Sequence, residues 1–140
     1  PERDRLHMIR LSIDDNPKLR ASDIEFKLPK PSYTIDTLTY LKEKYPKREF
    51  VLIMGSDNIE TLQKWKNYER LLNDYNIYVY RRPGYDQNPF PDHSGIQFYD
   101  APQMMISASM IRQYIQEKKS VRYMVPEPAL EYLESGQLYR

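Results

Sequence analysis

The chain contains Phe50-Val51-Leu52-Ile53-Met54-Gly55-Ser56-Asp57-Asn58-Ile59-Glu60, an apolar run that stops at a glycine and passes at once into helix-like sequence. A continuous apolar run of this length, ended by Gly-Ser-Asp, favours a strand covered on both faces, as in a parallel sheet. Ligands of open α/β sheets bind outside the carboxyl ends of the strands, so Gly55 and Asp57 lie where a nucleotide is expected. Gly55 also lets a ligand approach the backbone closely, because it has no side chain. Asp57 suits a helix N-cap with Glu60 as its capping-box partner, and on shape alone simple capping is the favoured explanation.

The composition is that of one domain without a large charge imbalance. The chain has 140 residues, a net charge of +1 and 29% charged residues, with no long run of like charge. These values argue against a nucleic acid as the main partner. Cysteine is absent, which excludes a disulfide framework, a thiol nucleophile and a thiolate metal site. No apolar run approaches membrane-spanning length, so we expect a cytoplasmic protein with no membrane partner.

Strands and helices alternate on both sides of the central run. Apolar patterns predict strands at 23–28, 76–80 and 96–99. Helical spacing predicts helices over 4–14, 35–45, 107–115 and 128–135, and two short helices that break near Trp65. We therefore expect a single α/β domain over residues 1–140, built on a mainly parallel sheet.

Two helix starts carry groups suited to anions. Ser32 or Thr34 can cap the helix that follows, and the free amides of its first turn offer a site for phosphate or carboxylate. Ser107, Ser109 and Arg112 bring hydroxyls and a guanidinium to the start of another helix, an arrangement suited to an oligophosphate. An ordinary capped helix explains either segment equally well.

Trp65 and the two histidines are the remaining candidates. Trp65, at a predicted break, offers its ring for stacking, and the alternative is a tryptophan that closes the core. His7 and His93 have no companions at metal-ligand spacing, so we predict no metal site built from side chains.

Four segments together resemble one family in their order and spacing. They are Ser32-Tyr33-Thr34-Ile35-Asp36-Thr37-Leu38, Gly55-Ser56-Asp57 followed by Trp65, Arg82-Pro83-Gly84-Tyr85, and Ile106-Ser107-Ala108-Ser109-Met110-Ile111-Arg112. The chain resembles the bacterial nicotinate-nucleotide adenylyltransferases, which make nicotinate adenine dinucleotide on the way to NAD. The last segment is shared by a wider nucleotidyltransferase superfamily, whereas the first two are more specific to the pyridine-nucleotide branch. The resemblance spans nearly the whole chain and implies a Rossmann-like nucleotidyltransferase fold, with helices on both faces of the sheet.

The resemblance implies a role for each segment. Gly55 and Asp57 take the adenosine part of ATP, with Asp57 on the ribose hydroxyls. The ATP phosphates are held by Ser107, Ser109 and Arg112, and the catalytic pair is Ser109 and Arg112. On the mononucleotide, Trp65 stacks on the pyridine ring. The backbone amides of Thr34 and Lys66 receive the ring carboxylate, and Arg82 acts on the phosphate side. Tyr33 is a further mononucleotide-binding residue.

The reaction implied is attack of the mononucleotide 5′-phosphate on the α-phosphorus of ATP, with release of pyrophosphate. Such a transfer depends on positioning and charge neutralisation rather than on covalent help from the protein. Mg²⁺, bound mostly through the ATP phosphates, is the implied cofactor. Two alternatives stay open: a non-catalytic nucleotide-binding module of the same fold, and a related transferase with another acceptor. The sequence also leaves a homo-oligomer open.

One part of the family pattern has no match in the chain. The family carries a first strand and a Gly-x-Phe-Asp-Pro-x-His-x-Gly-His loop whose histidines grip the triphosphate, whereas His7 and His93 lie in other contexts. The chain begins with Pro1. We therefore expect that an N-terminal portion with this strand and loop is absent, and that the 140-residue chain alone has little activity.

Overall fold

The computed structural model describes all 140 residues, which group into two compact units. The terminal unit is formed by Pro1–Asp23 and Met104–Arg140, and the central unit by Ile24–Gln103. The helices are α1 (Glu2–Ile13), α2 (Thr34–Lys44), α3 (Ser56–Ile59), α4 (Tyr68–Asp74), α5 (Ala108–Gln116) and α6 (Glu127–Ser135). The strands are β1 (Val51–Gly55), β2 (Asn76–Tyr80) and β3 (Ile96–Tyr99). The expectation of a single domain over residues 1–140 stays a prediction.

The three strands form one parallel sheet in the order β1-β2-β3. Gly55 pairs with Tyr80, and Tyr80 pairs with Tyr99. The carboxyl ends of the three strands therefore lie side by side. The predicted α/β class with a parallel sheet is confirmed. The expectation that β1 is covered on both faces is met at Met54, which is buried, but is wrong at Ile53, which is 70% exposed. β1 lies at an edge of the sheet, where one side has no neighbouring strand.

The core of the central unit lies between the sheet and the helices α2, α3 and α4. Its buried members are Ile35, Leu38, Met54, Ile59, Leu62, Leu71, Leu72, Ile77 and Val79. Between α3 and α4 the chain forms a 3₁₀ helix over Leu62–Lys64 and then becomes extended at Trp65. The predicted break near Trp65 is therefore confirmed. A left-handed Asn67, with φ of 49°, precedes α4 and turns its Leu71 and Leu72 into the core.

The strand predicted over 23–28 is absent, and that prediction is wrong. Ile24–Lys27 forms a 3₁₀ helix instead. Within it Ile24 is buried whereas Phe26 is 43% exposed, so the alternating pattern does not mark a face that packs on a sheet. Glu25 accepts a hydrogen bond from the Thr37 hydroxyl at 2.9 Å, which joins the segment to α2.

The terminal unit joins the two ends of the sequence through α1 and α6. The Tyr132 hydroxyl donates a hydrogen bond to Asp4 Oδ1 at 2.7 Å, and the His7 ring packs edge-on against Tyr132 with 4.6 Å between centroids. This hydrogen bond, together with burial and the charge of Asp4, raises the pKa of Tyr132. The helix predicted over 4–14 is present, but α1 begins two residues earlier, at Glu2. None of the helices has the length and apolar character needed to cross a membrane.

Candidate functional site

The turn that follows β1 leaves no room for a side chain at its glycine. Gly55 has φ of −80° and ψ of 159°, an extended conformation that any residue can adopt. A Cβ added there would lie 2.5 Å from Asp57 Oδ1, 3.0 Å from Arg82 Cδ and 3.1 Å from the ring of Tyr80. Contacts of 2.5 Å are too short for a carbon and an oxygen. The glycine is therefore required by the side chains that converge on it.

Asp57 does not cap a helix, so the N-cap prediction is wrong. Helix α3 begins one residue earlier, at Ser56, with Gly55 at the N-cap position and no side-chain cap bond. Glu60 is not a capping-box partner either, because its Oε1 accepts a hydrogen bond from the backbone N–H of Gln87 at 3.1 Å. The carboxylate of Asp57 instead pairs with Arg82, whose Nη1 lies 3.0 Å from Oδ2. The other oxygen, Oδ1, is buried and accepts no hydrogen bond from the protein.

Ser56 joins this turn to the segment that follows β2. Its side chain is fully buried, and its Oγ accepts a hydrogen bond from the backbone N–H of Arg82 at 2.8 Å. Sequence reasoning missed Ser56. The available signal was a hydroxyl residue directly after a buried strand, next to the aspartate, where a buried polar group needs a partner.

A second cluster surrounds a cavity of about 300 Å³ in the central unit. The cavity is lined by Ser32, Tyr33, Thr34, Lys64, Trp65, Lys66 and Leu71. The structure thus brings together four of the five residues that the resemblance assigns to the mononucleotide: Tyr33, Thr34, Trp65 and Lys66. Trp65 is half-buried: it packs against the core and also lines the cavity.

The chemistry around this cavity suits a flat, negatively charged group. Helix α2 begins at Thr34 with Tyr33 at the N-cap position and no side-chain cap bond, so the predicted capping by Ser32 or Thr34 is not observed. The first amides of a helix have no partner within it and attract anions. Lys66 Nζ lies 2.9 Å from Asp36 Oδ2 and 4.8 Å from the centre of the Tyr33 ring. The lysine therefore covers one aromatic wall while Asp36 holds it in place.

A third cluster lies in the terminal unit, at the start of α5. Ser107 is the N-cap, as predicted, and its Oγ accepts a hydrogen bond from the backbone N–H of Met110 at 3.2 Å. Arg112 Nη2 donates to Ser109 Oγ at 3.2 Å. Both side chains are exposed, so hydroxyl, guanidinium and helix amides are available to an anion from the same side.

The structure places the predicted site residues in three local clusters. Gly55, Asp57 and Arg82 form the first, the residues around the 300 Å³ cavity the second, and Ser107, Ser109 and Arg112 the third. Arg82 lies with Asp57 and is not among the residues that line the cavity. The ligand role assigned to each residue stays a prediction, as does the convergence of the clusters on one bound substrate pair.

The sequence matches a family model and many curated proteins. Residues 1–114 match the model described as cytidylyltransferase-like. The chain is 46% identical over 138 residues to the probable nicotinate-nucleotide adenylyltransferase of Cytophaga hutchinsonii, an alignment that covers 99% of this chain and 72% of the relative. It is 35% identical over 136 residues to the nicotinate-nucleotide adenylyltransferase of Bacillus subtilis, which covers 96% of this chain and 70% of the relative.

Solved structures share the fold. The chain is similar, with a TM-score of 0.79, to the Plasmodium falciparum nicotinic acid mononucleotide adenylyltransferase complexed with APC. That match has 19% sequence identity and covers 98% of this chain and 75% of the other. A structure of the Plasmodium falciparum enzyme complexed with NaAD gives a TM-score of 0.76 at 18% identity, and covers 98% of this chain and 73% of the other. At this identity the likeness concerns the fold alone.

Proposed function

The chain belongs to the nicotinate-nucleotide adenylyltransferase family, and we propose that it transfers the AMP moiety of ATP to nicotinate mononucleotide. The products are nicotinate adenine dinucleotide and pyrophosphate, a step of NAD biosynthesis. The carrying observation is the 46% identity over 99% of the chain to a relative with that name. The same observation favours an enzyme over a non-catalytic module and this acceptor over another. As part of the proposal, the reaction takes place in the cytoplasm.

The resemblance assigns the ribose of ATP to the first cluster and its phosphates to the third. Asp57 accepts hydrogen bonds from the ribose hydroxyls, as carboxylates after a strand do in nucleotide-binding α/β folds. Ser107, Ser109 and Arg112 hold the phosphates, since a helix start with a guanidinium matches an anionic oligophosphate. Support comes from the exposed Ser109–Arg112 pair at the N-terminal end of α5.

The mononucleotide end uses the cavity of about 300 Å³. Trp65 stacks on the pyridine ring, and the backbone amides of Thr34 and Lys66 receive the ring carboxylate. Tyr33 forms the wall that the Lys66 ammonium covers at 4.8 Å. An amide-bearing base would lack the charge that these donors suit, so this arrangement supports a preference for the acid.

The reaction joins the mononucleotide 5′-phosphate to the α-phosphorus of ATP while the bond to pyrophosphate breaks. Arg112 offsets the negative charge that accumulates on the leaving pyrophosphate. The chain has no group of three or more His, Cys, Asp or Glu side chains that could hold a metal ion. Mg²⁺ therefore fits as a partner of the ATP phosphates, where it would neutralise charge, rather than as an ion held by the protein.

The test measures binding and turnover separately. Calorimetry gives the affinities for ATP and for nicotinate mononucleotide, and a pyrophosphate-release assay follows the reaction with both. Trp65→Ala should weaken mononucleotide binding by roughly 5- to 150-fold, the range for loss of base–aromatic stacking, and leave ATP binding within about twofold. Trp65→Phe, which keeps an aromatic ring, is the matched control and should retain most of the affinity.

The outcomes separate the proposal from its alternatives. Formation of pyrophosphate from ATP and nicotinate mononucleotide would support the proposal over a non-catalytic binding module. Equal loss of ATP and mononucleotide binding in Trp65→Ala would count against this acceptor site. Failure to bind nicotinate mononucleotide at any concentration below about 10 mM, well above common substrate KM values, would refute the proposed function.

A further inference from the structure

The two carboxylate oxygens of Asp57 have different surroundings. Oδ1 is buried above Gly55, where a Cβ would be 2.5 Å away, and it accepts no hydrogen bond from the protein. Oδ2 accepts from Arg82 Nη1 at 3.0 Å. The Asp57 side chain as a whole is 29% exposed, and because Oδ1 is buried, this exposure belongs to its other atoms. We therefore expect a ligand to hydrogen-bond this carboxylate at Oδ2.

Arg82 is itself fixed at its backbone. Its N–H donates to the fully buried Ser56 Oγ at 2.8 Å, and its carbonyl accepts from the N–H of Tyr85 at 3.2 Å. Gly84, with φ of 82°, permits the tight turn that closes this second contact. The guanidinium therefore reaches Asp57 from an anchored residue, which lowers the entropy cost of holding the pair.

We infer that Arg82 is a positioning residue for Asp57, presenting Oδ2 to the ribose hydroxyls of ATP, and not a ligand of the mononucleotide phosphate. This inference rests on the proposed function, because it takes ATP as the occupant. A carboxylate oxygen has more than one lone pair, so Oδ2 accepts from a ribose hydroxyl while it remains bound to Nη1. The planar guanidinium suits this use better than a lysine ammonium, because its fork has fixed donor directions.

The test compares ATP with 2′,3′-dideoxy-ATP, which lacks both ribose hydroxyls. In the wild-type chain we expect ATP to bind about tenfold or more tightly than the dideoxy analogue, the effect of a hydrogen bond to a charged group. Arg82→Met should reduce the ratio of the two affinities, ATP to dideoxy analogue, to roughly threefold or less, mainly by weakening the binding of ATP. Arg82→Lys, which keeps the charge, should recover only part of the ratio.

Arg81→Met is the matched control. Arg81 is the neighbouring arginine, but its Nε pairs with Asp100 Oδ1 at 3.2 Å and its guanidinium lies 4.9 Å from the centre of the Phe98 ring. We expect its removal to leave the ratio of the two affinities unchanged. The affinity for nicotinate mononucleotide is measured for the wild type and each variant by the same calorimetry.

Each outcome decides for or against the positioning role. Loss of ATP affinity in Arg82→Met with an unchanged ATP-to-dideoxy ratio would overturn it, because Arg82 would then act on phosphate or on the fold. Loss confined to the mononucleotide would overturn it in favour of the phosphate role. Equal affinities of the wild-type chain for ATP and the dideoxy analogue would also overturn it, since Asp57 would then not contact the ribose hydroxyls. If Arg82→Met loses the preference for ATP over the dideoxy analogue, in a chain that binds ATP but not nicotinate mononucleotide, the positioning role would be supported while the proposed function failed.

Discussion

The substitution Gly55→Ala separates steric crowding at the first cluster from general destabilisation. Gly55 has backbone angles that alanine adopts freely, so the change is resisted only by the atoms around the new Cβ. The closest is Asp57 Oδ1 at 2.5 Å, followed by Arg82 Cδ at 3.0 Å. The Asp57 side chain must rotate to make room, and the rotation breaks its pair with Arg82.

The expected stability change is small because opposing effects partly cancel. Overpacking a tight site costs about 1–3 kcal/mol, whereas replacing glycine by alanine at a compatible backbone gains about 0.4–1 kcal/mol through the unfolded chain. The net loss is roughly 0–2.5 kcal/mol. At about 2–4 °C per kcal/mol for a chain of this size, Tm falls by about 10 °C at most.

The effect of Gly55→Ala on ATP affinity is expected to exceed its effect on stability. The rotated carboxylate no longer presents Oδ2, and a hydrogen bond to a charged group is worth about 1.5–3 kcal/mol, which corresponds to about 10- to 150-fold in Kd. Calorimetry with ATP measures it, and a thermal melt of the same sample gives Tm.

Gly84→Ala is the control for backbone strain without steric crowding. Gly84 has φ of +82° and nothing within 4 Å of an added Cβ, so alanine there is strained but not crowded. We expect a stability loss of about 1–2 kcal/mol and, because Gly84 lies in the turn that anchors Arg82, a smaller loss of ATP affinity than in Gly55→Ala. Gly55→Ala with wild-type ATP affinity would refute the steric argument, as would equal affinity losses in the two variants.

Two further predictions concern the terminal unit. The hydrogen bond from Tyr132 to Asp4 raises the folded-state pKa of Tyr132 above its unfolded value of 10.0, so its stabilisation is complete below pH 10 and is lost as pH rises through the raised pKa. Urea unfolding of wild type and Tyr132→Phe, in a series that runs upward from about pH 8, gives the difference in their free energies of unfolding. This difference should become smaller at the alkaline end of the series. A difference that does not change with pH would contradict the assignment. Ser107→Ala removes the cap of α5 and should lower the free energy of unfolding by about 0.5–2 kcal/mol, whereas Ser109→Ala should change it by less than about 0.5 kcal/mol and weaken ATP binding instead. A larger loss of stability in Ser109→Ala than in Ser107→Ala would show that the cap is assigned to the wrong hydroxyl.

Local patterns were sufficient to predict elements whose signal lies within a few residues. β2 and β3 have the predicted bounds, because their short apolar runs are flanked by polar and turn residues. The Ser107 cap was also predicted, since an N-cap depends only on a side chain and an amide three residues away. The segment 23–28 failed because a short alternating pattern predicts a strand only where a neighbouring strand is available to pair with it.

The side-chain partners of the first cluster could not be predicted from the local sequence. The Asp57–Arg82 pair joins residues 25 apart and the Ser56–Arg82 bond residues 26 apart. Both depend on the register that sets Gly55 beside Tyr80, and register is a property of the paired strands. The N-cap assignment for Asp57 failed for a related reason: a strong distant partner for the carboxylate competed with the nearby amides.

The terminal unit also has a consequence for how the chain folds. Asp4 and Tyr132 are separated by 128 positions, so the sequence between the two partners of this contact includes the whole central unit. During synthesis on the ribosome α1 emerges before the central unit and has no α6 to pack against until that helix is made. Contacts of such long range form late and slow a folding reaction. Ribosome-stalled chains that end before α6 should therefore protect the central unit from protease while residues 2–13 are still cleaved.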